Sequence, residues 1–430
     1  MRALIFAVFL LGFFPAIFFN PYIGVLLYSW ISFMSPHRLV WGFINEIPLA
    51  MTAGVLTLVS WFFSKEPKRL PLNATVWLIL AFMADISLTT TLALNPVTAF
   101  LLWNQTMKAL LFVLITIALT TNRIRFHALL WIMGVSIGYF GLKGGIGSIL
   151  HGGEATIYGP PDTAISDNNS IGAGLLVALP LMNYVRMNSA DRWVRRGWLI
   201  AMVCSVLSVA ATYSRAAFLG LIATSLILWL KSSGKVVSGI FIGLTVVSAI
   251  AFMPEKYMVR MHTVETYQED SSAMSRFPIW GLAIKIGLER PLIGAGFHAT
   301  DSQAVVNRFE PGVEARAVHN VFLNVLAEHG FIGLMIWTAL ALVGWRNSRW
   351  IVRHSMGRPE WQWAGDFARM SQAAFVGYMV TGSFHNTQYW DYYFTIIGLL
   401  AAARGIMETA ALPQRVPATT VVLSRAAPGS

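Results

Sequence analysis

Residues 106–142 have the sequence TMKALLFVLITIALTTNRIRFHALLWIMGVSIGYFGL, and this stretch decides the fold class. Two apolar runs, 106–121 and 126–142, are separated by a short segment that carries Arg123 and Arg125. A helix that crosses a bilayer needs about 20 mostly apolar residues. Lysine and arginine collect in the short loops on the cytoplasmic side of a membrane. The stretch therefore predicts two membrane-spanning helices that are joined on the cytoplasmic side.

Comparable apolar runs recur along the chain. They occupy residues 46–63, 74–94, 106–121, 126–142, 169–186, 197–213, 216–231, 236–253, 319–344, 368–384 and 388–406. Residues 1–34 add at least one further crossing. The sequence therefore predicts an all-α polytopic membrane protein with about 12 transmembrane helices.

The predicted organisation has four parts. Residues 1–253 hold transmembrane helices with short loops, and residues 319–410 hold the C-terminal transmembrane helices. Between them, 254–318 is a long hydrophilic segment whose apolar residues recur at near-helical spacing, which predicts a periplasmic loop with amphipathic helices. Residues 411–430 are dominated by Pro, Ala, Thr and Ser, which predicts a disordered cytoplasmic tail.

The composition excludes several classes of protein. Of the 430 residues, 56% are hydrophobic and only 12% are charged, whereas a soluble domain has about 25% charged residues. The net charge of +11 lies mainly in short loops, a pattern of membrane orientation and not of nucleic-acid binding. The single cysteine, Cys204, lies in an apolar run without metal-ligand spacing. We therefore expect no disulfide, no metal and no cofactor.

Alternating basic loops define the predicted orientation. The loops marked as cytoplasmic lie at residues 65–69, 123–125, 186–196, 231–235 and 346–369. The segments placed outside are 95–105, 143–168, 214–215, 254–318 and 385–387. This pattern predicts a bacterial inner-membrane protein whose site faces the periplasm.

The N-terminal segment allows two interpretations. Residues 1–34 cross twice if the chain breaks at Asn20-Pro21, or once as a kinked or partly re-entrant segment. The single crossing is favoured because it leaves Arg2 in the cytoplasm.

Arg215 is the first candidate site residue. It lies in the turn Tyr213-Ser214-Arg215-Ala216 between two predicted spans, on the predicted outer side. Positive charge is disfavoured in short outer loops, so this arginine suggests anion binding. The alternative is an arginine that snorkels to the interface. Lys143 and Tyr213 are additional candidates on the same face.

Arg276 and His319 are the other two main candidates. Arg276 begins an amphipathic segment that ends in Arg290-Pro291 and a glycine-rich stretch. A basic residue there suits a phosphate-bearing ligand, although a helix that lies on lipid headgroups is an alternative. His319 opens a span and is a candidate general base, or a histidine hydrogen-bonded at an interface. Arg290 is a further phosphate-binding candidate.

Three carboxylates, those of Glu328, Asp85 and Asp391, are not assigned to the predicted site. Glu328 lies nine residues after His319, which places it on the opposite side of an ideal helix, so the two are not paired. Asp85 and Asp391 lie in or near spans. Each is either a functional intramembrane carboxylate or a structural partner of a buried polar group.

The sequence resembles a known protein family over nearly the whole chain, and the candidate site residues are part of that resemblance. The turn at Arg215, the outer loop with Arg276 and Trp280, and His319-Asn320 before a span resemble the O-antigen ligase superfamily. This superfamily includes O-antigen ligases, O-antigen polymerases and bacterial protein O-oligosaccharyltransferases. The run from Gly159-Pro160 to Asn169 also resembles an exosortase-associated branch of O-glycosylation ligases.

The resemblance implies an inverting, metal-independent glycosyltransferase. Its donor is a glycan on undecaprenyl diphosphate, and the favoured acceptor is lipid A–core, as in lipopolysaccharide maturation. Carried over to this sequence, His319 is the catalytic base, and Arg215 and Arg276 bind the diphosphate. A protein acceptor or a polymerase remains an alternative, followed by a lipid-linked glycan transporter and a membrane scaffold. The glycan, the acceptor and the oligomeric state are left open.

Overall fold

The computed structural model describes most of the chain. The described residues are 2–40, 42–153, 156–231 and 276–411, with single helical positions at 235, 239, 243 and 274. Apart from those positions, the predicted span 236–253, the loop segment 254–275 and the tail from residue 412 lie outside the described residues.

The described part is helical and contains no strand. The α-helices are α1 Arg2–Phe19, α2 Pro21–Met34, α3 Leu49–Phe63, α4 Ala74–Thr91, α5 Pro96–Leu119, α6 Arg123–Leu150, α7 Asn168–Met187, α8 Arg192–Ala211, α9 Arg215–Lys231, α10 Arg276–Glu289, α11 Gln303–Phe309, α12 Val321–Ser355, α13 Gln362–Gly382 and α14 Asp391–Ala411. Short 3-10 segments lie at Pro36–Leu39, Phe43–Asn45, Ala299–Asp301 and Pro359–Trp361. The all-α prediction is confirmed for these residues.

Seven of the described helices are long and apolar enough to cross a membrane. They are α4, α5, α6, α7, α8, α12 and α14. Each lies at a predicted span, and shorter apolar helices are present at α2 and α3. The chain is thus a multi-pass membrane protein, while the full number of about 12 crossings stays a prediction.

Helix α6 is longer than predicted. It has 28 residues and ends at Leu150, so Lys143 lies within a helix and not in the outer loop. Glycine usually weakens a helix, yet here it permits close packing against α8. A Cβ atom at Gly145 would lie 2.5 Å from the Cα atom of Cys204.

The first two helices meet at the predicted break. Pro21 starts α2, and the side chain of Asn20 accepts a hydrogen bond from the Tyr22 amide at 3.0 Å. Proline suits the first turn of a helix, where its missing N–H is not needed. One helix therefore ends and the next begins at Asn20-Pro21, and whether residues 1–34 cross once or twice stays a prediction.

Helix α7 forms the centre of the membrane bundle. It packs against α6, α8, α9 and α13, and 83% of its 18-residue apolar segment is buried. The same hydrophobic core continues to the place where α12, α13 and α14 meet. There the rings of Trp337 and Tyr378 pack on Tyr393, with centroids 5.9 Å and 4.1 Å from that ring.

Helix α12 is interrupted near its beginning. Gly330 has φ 67° and ψ −166°, a conformation that glycine adopts readily. The loop of residues 290–298 fills the interruption: the Phe331 amide donates to the Pro291 carbonyl at 2.7 Å, and the Gly296 amide donates to the Glu328 carbonyl at 2.9 Å. The predicted span 319–344 is therefore two helical segments with a loop packed into the break.

Helix α10 lies in the segment 254–318, for which amphipathic helices are predicted, and it has two apolar faces. Ile279, Ala283 and Ile286 are fully buried, and the helix packs against α12. Phe277 and Leu288 form part of a second apolar face that is exposed. The apolar residues of α10 therefore form two faces of the helix. Only the face with Ile279, Ala283 and Ile286 packs on the rest of the described protein.

Candidate functional site

His319 is held between two parts of the chain. It lies two residues before α12, and the amides of Phe322 and Leu323 in the first turn of that helix donate to the Asn320 side chain. The His319 backbone has φ 51°, the left-handed region that is uncommon outside glycine. Its amide donates to Oδ1 of Asn386 at 2.7 Å. The imidazole thus has a defined position next to the loop between α13 and α14.

A hydrogen bond brings the start of α10 to His319. The indole Nε1 of Trp280 donates to the Val318 carbonyl oxygen at 2.8 Å. Trp280 lies four residues after Arg276, so both side chains leave the same face of the helix. Arg276 and His319 interact electrostatically. The structure therefore brings together two of the three main candidates.

The surroundings of His319 favour the neutral imidazole. Burial lowers the pKa of His319 below its usual value, and the positive charges of Arg276 and Arg316 lower the pKa further. The carboxylates of Asp167 and Asp301 act in the opposite direction but do not reverse the shift. A neutral imidazole near neutral pH is equipped to accept a proton.

Arg215 is the first residue of α9. Tyr213 before it has φ 53°, and the hydroxyl oxygen of Ser214 accepts from the Ala217 amide at 3.1 Å, which caps the helix. The side chain of Asn168 donates to the Thr212 carbonyl at 2.9 Å. This contact joins the Arg215 turn to the beginning of α7.

Helix N-termini meet around these residues. The start of α7 contacts the α8–α9 turn through Asn168, and its capping residue Asp167 interacts electrostatically with His319. The start of α10 is tied to the segment before α12 by Trp280. The N-terminal end of a helix carries partial positive charge. Four such ends, together with two arginines, make this region suitable for an anion.

The additional candidates occupy different positions. Lys143 is exposed on α6, and the Tyr213 hydroxyl donates to the Gly153 carbonyl. Arg290 donates to the carbonyls of Gly294 and Leu92, the latter at 2.9 Å. Because Arg290 follows Arg276 by 14 residues of a helical segment, the two lie about 20 Å apart along the axis. The structure thus separates Arg290 from Arg276 and gives it a role in holding the loop.

Residues 385 and 386 belong to the site and were not identified from sequence. Asn386 binds the His319 amide, and His385 interacts electrostatically with His319. The available signal was a repeated pair, since His385-Asn386 repeats the dipeptide His319-Asn320. Both pairs precede a helix on the predicted outer side.

Glu328 holds the outer loop in place. One carboxylate oxygen accepts from the His298 amide at 2.8 Å, and the other accepts from the Tyr389 hydroxyl. The His298 ring pairs with Asp301 at 2.7 Å. Burial lowers the pKa of His298, but Asp301 and Glu328 outweigh this and leave the pKa raised. Glu328 therefore acts on this network, in agreement with its separation from His319 in the sequence prediction.

The two intramembrane aspartates have different surroundings. Asp391 accepts a hydrogen bond from the Ser32 hydroxyl, which makes it a structural partner. Asp85 lies near His329, and in the described part of the chain one oxygen of Asp85 and Nε2 of His329 have no hydrogen-bond partner. No group of three or more metal-ligating side chains occurs among the residues that were described.

Two protein families and one characterised protein are similar to parts of this chain. Residues 169–338 match the family described as O-antigen ligase, and residues 1–189 match a family of unknown function (DUF5935). A ComP-specific O-oligosaccharyltransferase from Acinetobacter baylyi is 27% identical over 178 residues. That alignment covers 39% of this chain and 32% of the relative. The chain thus spans about a third of that protein's length.

The fold and the matches define a class. The chain is a multi-pass membrane protein related to enzymes that transfer glycans from lipid carriers. More particularly, it is related to the O-antigen ligase superfamily, and the resemblance found in the sequence is confirmed. The segment that matches the ligase family, 169–338, contains Arg215, Arg276 and His319.

Proposed function

We propose that the protein is an O-antigen ligase of the bacterial inner membrane. It transfers glycan from undecaprenyl diphosphate to a hydroxyl of lipid A–core on the periplasmic face. The observation that carries this proposal is the position of His319, a half-buried imidazole of lowered pKa beside Arg276. Such a base next to a cation suits proton removal coupled to the departure of an anion.

The proposed reaction assigns a role to each of the three residues. His319 accepts the proton of the acceptor hydroxyl while the hydroxyl oxygen attacks the anomeric carbon from the face opposite the leaving group. The bond from that carbon to the diphosphate oxygen breaks, and undecaprenyl diphosphate leaves with the electron pair. Arg215 and Arg276 bind the diphosphate and offset its charge. Inversion follows from the direction of attack, and no metal is required.

The proposed topology places this chemistry at the outer face. About 12 helices cross the bilayer, with the basic loops in the cytoplasm and the outer loop, which includes α10 and α11, in the periplasm. The exposed apolar face of α10, which includes Phe277 and Leu288, supports this placement because such a face suits an interfacial helix. A lipid-linked donor then reaches the site from the membrane.

A second candidate keeps the donor and changes the acceptor. The relative from Acinetobacter is described as a ComP-specific O-oligosaccharyltransferase, which favours a protein hydroxyl as acceptor. An O-antigen polymerase uses another glycan unit. A transporter for the same lipid would need neither His319 as a base nor an acceptor molecule. Glycan transfer in a purified system therefore distinguishes a transferase from a transporter.

The test is a transfer assay with purified protein and undecaprenyl-diphosphate-linked glycan. Lipid A–core, a candidate protein and free glycan are offered in parallel as acceptors. We expect transfer to lipid A–core and its loss in His319→Ala. The control is His354→Ala, because His354 is exposed at the other end of α12. Transfer by His319→Ala at the wild-type rate excludes the base assignment, and transfer only to protein selects the second candidate.

The same assay tests whether a lysine can replace the arginine at position 215. A lysine ammonium is a point charge and does not replace the planar fork of arginine on a diphosphate. We expect Arg215→Lys to lose most activity, while Arg308→Lys, on the exposed side of α11, retains it. Full activity of Arg215→Lys contradicts a bidentate contact.

A further inference from the structure

His385 has a buried ring nitrogen that no described group of the protein satisfies. The residue is 1% exposed, and its Nδ1 lies 2.9 Å from the Thr387 hydroxyl oxygen. Within the described ranges of the chain, its Nε2 has no hydrogen-bond partner. A buried polar atom without a hydrogen-bond partner destabilises the folded protein. An orphaned ring nitrogen beside a candidate active site therefore points to a ligand that completes its hydrogen bonding.

The Thr387 contact fixes which ring nitrogen carries the hydrogen. The Thr387 hydroxyl is also buried, at 3% exposure, and Nδ1 of His385 is its hydrogen-bond partner among the described residues. A buried hydroxyl hydrogen needs an acceptor, so the hydroxyl donates to Nδ1. In the neutral ring the hydrogen then resides on Nε2. The orphaned atom is consequently a donor.

The ring is held neutral next to His319. Burial is the main reason why the pKa of His385 is lowered to about 4; Asp167 acts in the opposite direction, and His319 makes a smaller contribution to the lowering. The neighbouring residue Asn386 binds the His319 amide. The Tyr378 hydroxyl donates to the Thr387 carbonyl at 2.6 Å, which fixes the loop from the α13 side. His385 is thus a rigid, uncharged donor close to the proposed base.

We propose that Nε2–H of His385 donates a hydrogen bond to an oxygen of the diphosphate of the lipid-linked donor. This inference rests on the proposed function and adds a binding residue to it. The diphosphate is a better partner than the acceptor hydroxyl, because a donor on the attacking oxygen would reduce its nucleophilicity. On the leaving group the same hydrogen bond stabilises the charge that develops. The nearby Arg276 and helix N-termini favour an anion at the same place.

The test measures binding separately from transfer. The dissociation constant of undecaprenyl diphosphate is determined for purified wild type, His385→Ala, His385→Gln and Thr387→Val in detergent. We expect the dissociation constant of His385→Ala to rise at least about tenfold, since hydrogen bonds to charged groups are the strong ones. The amide nitrogen of His385→Gln lies near the position of Nε2 and should restore binding to within about threefold. Thr387→Val should bind less tightly than wild type because the ring loses the contact that fixes its tautomer.

The controls separate this proposal from the proposed function. His354→Ala should bind as wild type does, and size-exclusion profiles and melting temperatures identify variants that fail to fold. If His385→Ala is misfolded, the comparison of Thr387→Val with wild type decides, and equal binding overturns the proposal. Wild-type binding by a folded His385→Ala, or a folded His385→Gln as poor as His385→Ala, also overturns it. Failure of the wild type to bind undecaprenyl diphosphate refutes the proposed function itself.

Discussion

The indole nitrogen of Trp280 lies 2.8 Å from the carbonyl oxygen of Val318, and this hydrogen bond joins two distant parts of the chain. It fixes the beginning of α10 against the residue that precedes His319. It therefore helps to position Arg276, which lies one helical turn before Trp280. The contact is therefore a direct test of whether Arg276 and His319 act together.

Trp280→Phe should lower transfer by about fivefold, because a neutral hydrogen bond contributes about 1 kcal/mol. The ring keeps most of its packing, so the melting temperature should change little. Transfer rates and melting temperatures of the purified variants measure both effects. Trp77→Phe is the matched control, since Trp77 is exposed on α4. Unchanged transfer in Trp280→Phe would show that this hydrogen bond does not position Arg276 for the reaction.

Transfer should decline in acid with a midpoint below about 6.5, the ordinary pKa of histidine. Burial and the charges of Arg276 and Arg316 lower the pKa of His319, so its imidazole stays neutral to lower pH. Arg316→Gln removes one positive charge, which makes the imidazolium less unfavourable and moves the midpoint upward. The pH dependence of kcat/KM measures both. A midpoint above the ordinary value, or one that Arg316→Gln moves downward, contradicts this account.

Gly330→Ala should destabilise the protein severely. A Cβ atom at this position would lie 2.5 Å from the Pro291 carbonyl oxygen, and the backbone has φ 67°. Strain of this kind costs about 1–3 kcal/mol before the clash is added. Gly281→Ala is the control, because nothing lies within 4 Å of its added Cβ. It should be neutral or stabilising by about 0.5–1 kcal/mol, since alanine favours a helix. Thermal unfolding of the two variants compares them, and equal melting temperatures would refute the tight packing at the break.

Glu328→Ala should lower both stability and transfer. The change leaves the His298 amide and the Tyr389 hydroxyl without their acceptor, at about 1–3 kcal/mol for each buried donor. Glu328→Gln keeps an acceptor oxygen and should be milder. Glu360→Ala removes an exposed carboxylate and serves as the control. The network is supported if melting temperature and transfer rate both decrease in the order wild type, Glu328→Gln, Glu328→Ala. It is excluded if Glu328→Ala has the melting temperature and the transfer rate of the wild type.

Much of the helical architecture was predictable because it depends on local composition. Seven helices long enough to span a membrane lie where the sequence predicts spans. Helix α6 extends past its predicted end because glycines at its C-terminal part pack closely on α8. Hydropathy does not register that contact, since it measures the chemistry of a segment and not the distance to its neighbour.

The candidate site was predictable only in part. Charge patterning identified Arg215 and Arg276, and the position before a span identified His319. His385 was missed because its significance depends on an orphaned nitrogen and on Asn386, which binds a residue 67 positions earlier. Arg290 resembled a phosphate ligand by charge and spacing, yet its guanidinium binds backbone carbonyls.

The sequence by itself determined that this chain is a multi-pass helical membrane protein, where most of its spans lie, and which basic residues and histidine deserve testing. Those properties follow from hydrophobicity and charge, which can be read from each segment of the sequence without knowing its neighbours in space. The tertiary structure alone decided that α12 is broken at Gly330, that the loop 290–298 fills the break, and that His385 lies beside His319. These features depend on hydrogen bonds and close packing between residues far apart along the chain, and no local pattern encodes such distances.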